Sequence, residues 1–322
     1  MKPKLFIPEP ISRSGIDLLE TAVDCISPWR EKNNDDPEKH RAELNDSDAV
    51  IVRLFKISAE DLERCSRLKV IAKHGVGVDN IDLQAAHERN IRVVYTPIAN
   101  SNAVAEHAMS LLLALSRNIG PAFQAVRDGR FAERNRFQGV ELAGKTLGIV
   151  GLGRIGSKVA RMATAGFSMN AIGYDPYSEE SQSDLPIERT GRIEDLFEKS
   201  DFLTFHVPLN DNTRHLVNQE NLALVKPSCR IINTSRGGVV DENALRDALE
   251  RGSIAGAALD VFEQEPLPET HPLCHAPNIL LTPHISSSTK ESLDRMAVDA
   301  ATGVLDVLAG REPAYPVRLA GK

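Results

Sequence analysis

The chain has 322 residues, 42% hydrophobic and 26% charged, with a formal net charge of -7. That length accommodates two domains of ordinary size, and the composition is globular, which excludes disordered and fibrous classes. The negative balance argues against a nucleic-acid partner or an anionic membrane surface and leaves room only for a local basic cleft. Cys25, Cys65, Cys229 and Cys274 lie far apart, with no Cys-x-x-Cys pair and no His/Cys cluster at metal spacing, so reduced thiols and no bound metal are expected. The apolar run before Pro8 is too short for a signal-peptide core, and nowhere do roughly 18 apolar residues follow one another, so a cytoplasmic protein is expected.

In chain order, short apolar runs at Leu5 to Ile7, Ala49 to Arg53, Val70 to Lys73 and Ile91 to Tyr95 read as strands. Helical stretches at Ile11 to Thr21, Ser58 to Cys65 and Asp82 to Glu88 separate them, which makes a first parallel βα domain. Arg53 ends one of these strands and Lys56 follows in the same loop, while Asn100 and Ser101 stand where the chain enters a second domain. A phosphate or sulfonate on the distal end of a substrate would suit the two cations. The alternative is that both are solvated surface charges.

The stretch from Asn102 to Arg117 is apolar nearly all round rather than along one stripe, so it is expected to be a helix buried on more than one side. Either it is a central helix of one subunit or it is shared with a second copy. The second reading is preferred, because closed two-fold dimers are the commonest oligomers.

Lys145-Thr-Leu-Gly-Ile-Val-Gly-Leu-Gly-Arg-Ile-Gly follows. Thr146 to Val150 reads as a buried strand and Arg154 to Ala165 as a helix, so Gly151, Gly153 and Gly156 form a strand-turn-helix glycine fingerprint. The first glycine permits the tight turn, the second lets backbone approach a pyrophosphate, and the third lets helix and strand pack closely. Arg154 and Ile155 open the helix whose N-terminus faces the anion. Asn170 to Tyr174 forms the next strand and ends in Asp175, about 20 residues past the glycines, where a carboxylate accepts from the adenosine 2'-hydroxyl and repels a 2'-phosphate. NAD is therefore the expected cofactor. A methyltransferase can carry such a loop, but that reading explains nothing further downstream.

Further strands are expected at Phe202 to His206, Arg230 to Asn233, Ala255 to Leu259 and Ile279 to Leu281. Asp241 caps a helix between them, with Gly252 past its end. Periodicity leaves open which domain receives the last helix, Lys290 to Leu308. The expected fold class is α/β, with two doubly wound parallel-sheet domains: a flavodoxin-like substrate domain over residues 1–99, completed by 288–322, and a Rossmann-like NAD domain over 100–287. Three segments end predicted strands with polar residues of different kinds: Asn233-Thr-Ser-Arg-Gly-Gly, Asp260-Val-Phe-Glu-Gln-Glu-Pro and Thr282-Pro-His-Ile-Ser. Ligand groups collect at the carboxyl ends of strands in such sheets, so Arg236, Glu265 and His284 are candidates to converge on the reactive end of the cofactor. Taken singly, each has a plain structural reading as a cap or a surface ion pair. Glu263 is a second carboxylate in the same loop, and His206, His215, His271 and His275 read as structural.

These segments, together with Gly75-Val-Gly-Val-Asp-Asn-Ile-Asp, Val104-Ala-Glu and His206-Val-Pro-Leu, resemble the D-2-hydroxyacid dehydrogenase family from about residue 45 to 300. The branch most resembled is that of phosphoglycerate dehydrogenase, without the extra regulatory domain some of its members carry. The resemblance implies that His284 is the acid/base, that Glu265 orients it and that Arg236 holds the substrate. It also implies that the backbone of Gly75, Val76 and Gly77 takes a substrate carboxylate oxygen. Asp260, Thr234 and Ser235 become nicotinamide-side contacts, and Val207, Pro208 and Thr213 lie beside the cofactor. The implied reaction is reversible hydride transfer between NAD(H) and a small anionic 2-hydroxy or 2-oxo acid, with 3-phosphoglycerate and hydroxypyruvate or glyoxylate as candidates. The alternative is a corepressor-like module that senses NAD. Relatives of the formate dehydrogenase type place a glutamine beside the histidine, so Glu265 argues against that activity. The chain also departs from the family's pattern at Phe131, where a tryptophan is frequent, and at Ser286 and Ser287, where small glycines are frequent.

Overall fold

The computed structural model describes residues 2–30, 36–177 and 185–319, and the chain divides into two compact units. Met1–Ser101 and Ser288–Lys322 make up one, and Asn102–Ser287 the other.

The first unit is built on a parallel sheet of β1 (Lys4–Phe6), β2 (Asp24–Ile26), β3 (Ala49–Val52), β4 (Val70–Lys73) and β5 (Arg92–Val94) in the order β2-β1-β3-β4-β5. Period-two alternation sorts its apolar side chains onto two faces. Leu5, Ile51, Val70 and Ala72 meet Ile16 and Leu19 of α1 (Arg13–Leu19) and Ala297, Ala300, Ala301 and Val304 of α11 (Lys290–Leu308). Phe6, Val50, Val52 and Ile71 meet Leu44 of α2 (Pro37–Asn45), Leu62 of α3 (Ala59–Arg64) and Ala86 of α4 (Leu83–Glu88). The last helix therefore packs on the first sheet, which periodicity left open. β2 escapes a sequence reading because it is an edge strand whose Asp24 faces solvent.

The second unit carries β6 (Thr146–Val150), β7 (Asn170–Tyr174), β8 (Glu188–Arg189), β9 (Phe202–Phe205), β10 (Arg230–Asn233), β11 (Gly256–Leu259) and β12 (Ile279–Leu281). All pair in parallel, in the order β12-β11-β10-β9-β6-β7-β8. The order reverses between β6 and β9, the point at which a doubly wound sheet opens a crevice at its carboxyl edge. α5 (Ser101–Ser116) and α7 (Arg154–Arg161) cover one face, where Ala108, Leu112, Leu115, Val159 and Ala160 pack on Leu147, Ile149, Ile232 and Ala258. α8 (Ile193–Lys199), α9 (Gln219–Leu222) and α10 (Glu242–Glu250) cover the other, through Phe197, Leu222, Leu245 and Leu249.

Ala105, Ala108, Met109, Leu111, Leu112 and Leu115 of α5 are thus buried in the core of this unit, and Leu113 and Ala114 are half-buried. The next helix, α6 (Ile119–Arg127), carries a stripe of exposed apolar side chains, with Ile119, Phe123 and Val126 54%, 60% and 59% exposed. Beyond α7 the helix continues as a π turn over Met162–Gly166. Among the described residues no helix is long and apolar enough to cross a membrane.

Candidate active site

The cofactor fingerprint sits where β6 meets α7. Gly151 has φ +90, and a side chain there would begin 2.5 Å from the His206 carbonyl oxygen. A side chain on Gly156 would begin 1.9 Å from the Gly151 carbonyl oxygen, so helix and turn close up only around hydrogen. Gly153 is the N-cap of α7 with no side-chain cap, no acid follows in the first turn, and nothing lies within 4 Å of where its side chain would begin. Arg154 and Ile155 form the first helical turn. The result is an open, uncapped helix N-terminus backed by bare backbone, which fits an anion of pyrophosphate size.

Asp175 follows β7, where its Oδ2 accepts from Leu152 N–H at 2.9 Å and its Oδ1 from Tyr177 N–H at 2.9 Å. Val207 and Pro208 follow β9, and the Thr213 hydroxyl donates to the Pro208 carbonyl at 2.6 Å. After β10 come Thr234 and Ser235. Ser235 N–H and Oγ donate to Asn233 Oδ1 at 3.0 and 2.7 Å. Thr234 is buried, and its Oγ1 has no partner among the described residues. A buried hydroxyl is costly to leave unpaired, so it marks a position open to a ligand group.

Arg236 extends from the same turn, its Nη1 donating to the Ser235 carbonyl at 2.6 Å while its own carbonyl accepts from Asn233 Nδ2 at 2.8 Å. His284 Nδ1 lies 2.7 Å from Glu265 Oε2, and Glu265 Oε1 accepts from Phe262 N–H at 3.0 Å. Burial alone raises the Glu265 carboxyl. The hydrogen bond and charge of His284, the Phe262 N–H and the charge of Arg236 outweigh it and hold the carboxyl below its ordinary value. The structure therefore gathers Arg236, Glu265 and His284 at the carboxyl edge of one sheet. Glu263, the other carboxylate of that loop, instead meets His215 at 3.2 Å, and His271 meets Glu242 at 3.3 Å.

Asp260 is fully buried. Its Oδ1 accepts from Thr282 Oγ1 at 2.6 Å and Ile285 N–H at 2.9 Å, and its Oδ2 from Ser286 N–H at 2.8 Å. His284 N–H donates to the carbonyls of Asp260 and Thr282 at 2.9 and 3.0 Å. His284 itself has φ +51, a left-handed conformation that a non-glycine residue holds only when its surroundings impose it. The buried carboxylate supports it here by holding the Thr282 side chain on one side and the backbone of Ile285 and Ser286 on the other. Sequence reasoning treated Asp260 as a ligand contact and did not find this holding role.

In the first unit, Arg53 follows β3. Its Nη1 donates to the Pro10 carbonyl at 3.1 Å, and the Glu9 carboxylate accepts from the backbone N–H groups of Arg53, Leu54 and Phe55. Lys73 Nζ donates to the Arg53 carbonyl and to Asn80 Oδ1, which ties the loops after β3 and β4 together. Gly75 N–H donates to Thr96 Oγ1 at 3.0 Å, and the Val76 side chain next to it is exposed. Lys56 is exposed, and Asn100 is buried with Oδ1 unpartnered among the described residues. Glu9, Lys73 and Asn80 are parts of this arrangement that no local motif marks. Among the described residues no group of three or more His, Cys, Asp or Glu side chains could hold a metal ion.

Residues 109–286 match the family model described as D-isomer specific 2-hydroxyacid dehydrogenase, NAD binding domain. The chain is 42% identical over 310 residues to a D-3-phosphoglycerate dehydrogenase of Methanocaldococcus jannaschii, covering 95% of this chain and 58% of the relative. It is 40% identical over 317 residues to a glyoxylate reductase of Thermofilum pendens, covering 97% and 93%. The crystal structure of the TT0316 protein from Thermus thermophilus superposes with a TM-score of 0.89 at 36% identity, covering 98% of this chain and all of that one. The chain thus spans little more than half the length of the phosphoglycerate dehydrogenase and nearly the whole of the glyoxylate reductase. By its motifs, its two parallel sheets and these likenesses, the chain belongs to the D-isomer specific 2-hydroxyacid dehydrogenase family.

Proposed function

We propose that this chain is an NAD-dependent dehydrogenase that interconverts a small 2-hydroxy acid and its 2-oxo acid. The observation that carries the reading is the 2.7 Å contact between His284 Nδ1 and Glu265 Oε2, beside Arg236 and at the edge that bears the glycine fingerprint. The cofactor, when bound, supplies or accepts a hydride at its nicotinamide ring. Gly151, Gly153 and the first turn of α7 would hold its pyrophosphate, and Asp175 its ribose hydroxyls. Thr234, with its open hydroxyl, Ser235, Asp260, Val207, Pro208 and Thr213 would line the nicotinamide side.

The chain's own residues handle the proton and the charge. Glu265 accepts from Nδ1–H, which leaves Nε2 to carry the proton that is exchanged. As the 2-oxo group is reduced, charge grows on its oxygen and Nε2–H delivers a proton there. In oxidation Nε2 takes the proton back from the hydroxyl. The planar fork of Arg236 suits a carboxylate and the adjacent oxygen together. In the first unit, the loop after β4 carries the backbone N–H groups of Gly75, Val76 and Gly77, which the family resemblance assigns to a substrate carboxylate, and Asn100 is the further residue of that unit assigned to the substrate.

The 40% identity to a glyoxylate reductase supports glyoxylate or hydroxypyruvate as substrate, and the 42% identity to a D-3-phosphoglycerate dehydrogenase, with an Arg53 guanidinium hydrogen-bonded to a neutral carbonyl, supports a longer anionic substrate such as a phosphoglycerate. A screen of NADH oxidation against glyoxylate, hydroxypyruvate, pyruvate and phosphohydroxypyruvate tests the proposal. Turnover of at least one supports it, and turnover of none at millimolar concentration defeats it.

A cytoplasmic homodimer completes the reading. The four cysteines are all unpaired, which suits a reducing compartment. The exposed stripe of α6, with Phe131 beyond it, is the surface that a second copy would cover, rather than α5. Phe123→Asp should yield monomers in sedimentation, and a dimer of undiminished strength would exclude this surface.

A further inference from the structure

His107 lies on α5, where apolar residues such as Ala105, Ala108 and Met109 enter the core. Its side chain is four-fifths buried, and Nε2 points at two oxygens, Thr282 Oγ1 at 3.2 Å and Asp260 Oδ1 at 3.5 Å. The hydrogen bookkeeping fixes its tautomer. A hydroxyl has one hydrogen, and the 2.6 Å contact from Thr282 Oγ1 to Asp260 Oδ1 uses it. The threonine oxygen can then only accept from the imidazole, so Nε2 carries a proton.

The same aspartate fixes the backbone of Ile285 and Ser286, and the carbonyls of Asp260 and Thr282 fix the N–H of His284. One residue after Thr282 and its proline comes the left-handed turn that presents His284 to Glu265. The imidazole of α5 is therefore the one side-chain donor from outside the 260–286 region among the hydrogen bonds described for this carboxylate.

We propose that His107 is a positioning residue: through Nε2–H it holds Thr282 and Asp260, and these hold the loop that aims His284. The inference rests on His284 being the acid/base of the reaction. It assigns a task to a side chain that acts through Thr282 and Asp260. Losing the donor leaves the Thr282 oxygen and the buried carboxylate short of a partner. The loop then relaxes away from a geometry in which small displacements of the acid are costly in rate.

Three variants and two readouts test it. His107→Leu removes the donor and keeps an apolar volume, and kcat should fall about 10- to 100-fold while the KM for the 2-oxo acid and the affinity for NADH stay within about threefold. His107→Gln, whose amide N–H reaches as far as Nε2, should restore kcat to within about fivefold of wild type at a melting temperature equal to that of the leucine variant. Thr282→Val added to His107→Leu should cost little more, since both act through one network. The second readout needs neither substrate nor cofactor: imidazole 15N shifts should show His107 protonated at Nε2. The His284 signals should move in His107→Leu and return in His107→Gln.

Wild-type kcat in His107→Leu, or glutamine and leucine variants equally impaired at equal melting temperature, would overturn the proposal. So would His284 signals that ignore the leucine substitution. His284→Asn leaves the His107 network whole and separates the two readings. If that variant turns over like wild type, the acid/base assignment fails, whereas the His107 proposal as a holder of the loop is decided by the imidazole shifts.

Discussion

Replacing Glu265 by Gln removes a charge and keeps the shape. In the native site the carboxylate accepts from His284 Nδ1 at 2.7 Å with one oxygen and from Phe262 N–H at 3.0 Å with the other. A glutamine has one accepting oxygen. If it keeps the Phe262 bond, its amide N–H faces Nδ1, which can meet it only when unprotonated, so the neutral imidazole is favoured. A hydrogen bond to a charged group is worth about 1.5–3 kcal/mol, and each 1.36 kcal/mol corresponds to one pH unit in a proton equilibrium, so the imidazolium loses about one to two units of its range. Reduction of the 2-oxo acid needs the imidazolium and is lost as pH rises. The alkaline limb of kcat/KM for NADH-dependent reduction should therefore move down by about one to two pH units in Glu265→Gln. Oxidation, which needs the neutral imidazole, should suffer less at neutral pH. The assay is NADH absorbance followed from about pH 5 to pH 9 in both variants and in Glu263→Gln, whose carboxylate serves His215. A limb that stays in place in Glu265→Gln, or one that moves equally in Glu263→Gln, would refute the reasoning.

Other outcomes follow from the same geometry. Gly156→Ala puts a methyl group 1.9 Å from the Gly151 carbonyl oxygen. It should cost about 1–3 kcal/mol in urea unfolding and abolish measurable NADH binding in a fluorescence titration, and wild-type affinity would contradict the role given to the turn. Arg53→Ala should raise the KM for phosphohydroxypyruvate about 10- to 100-fold and leave that for glyoxylate nearly unchanged, and equal effects on both would reject Arg53 as a distal-anion contact. His74, held down to about 4 from 6.5 by burial and then by the Arg53 charge, is neutral in the fold. The unfolded chain takes up its proton as pH drops below about 6.5, so stability is lost between there and about pH 4, reaching about 2 kcal/mol at pH 5. His74→Leu should flatten the fall in unfolding free energy between pH 7 and pH 5 by about that amount, and parallel slopes would contradict it.

Much of this molecule is legible in its residues. Buried parallel strands are continuous apolar runs, and Ala49–Val52, Val70–Lys73, Thr146–Val150 and Phe202–Phe205 stand out on that account. The edge strands do not. Asp24–Ile26 begins with an exposed acid, and Glu188–Arg189 is two exposed charged residues paired with β7. α6 hides behind Gly120 and Pro121, which read as breakers, yet that proline stands in the first turn, where its missing N–H costs nothing. The polar residues at strand ends are visible as a set, because parallel topology sends every strand's carboxyl end to one edge. Their division of labour is not. Nothing local says that Glu265 rather than Glu263 reaches His284, that His284 adopts φ +51, or that Asp260 turns inward to hold the loop. His107 had one signal, an imidazole set in an otherwise apolar helix, and its partners lie more than 150 residues away in sequence.

The proton carried by His284 is the most direct point of test. In His284→Asn, turnover of the 2-oxo acid with NADH should fall by about 100- to 10,000-fold in both directions, while titration still shows NADH bound with wild-type affinity. Turnover within a few-fold of wild type with the asparagine in place would contradict the account.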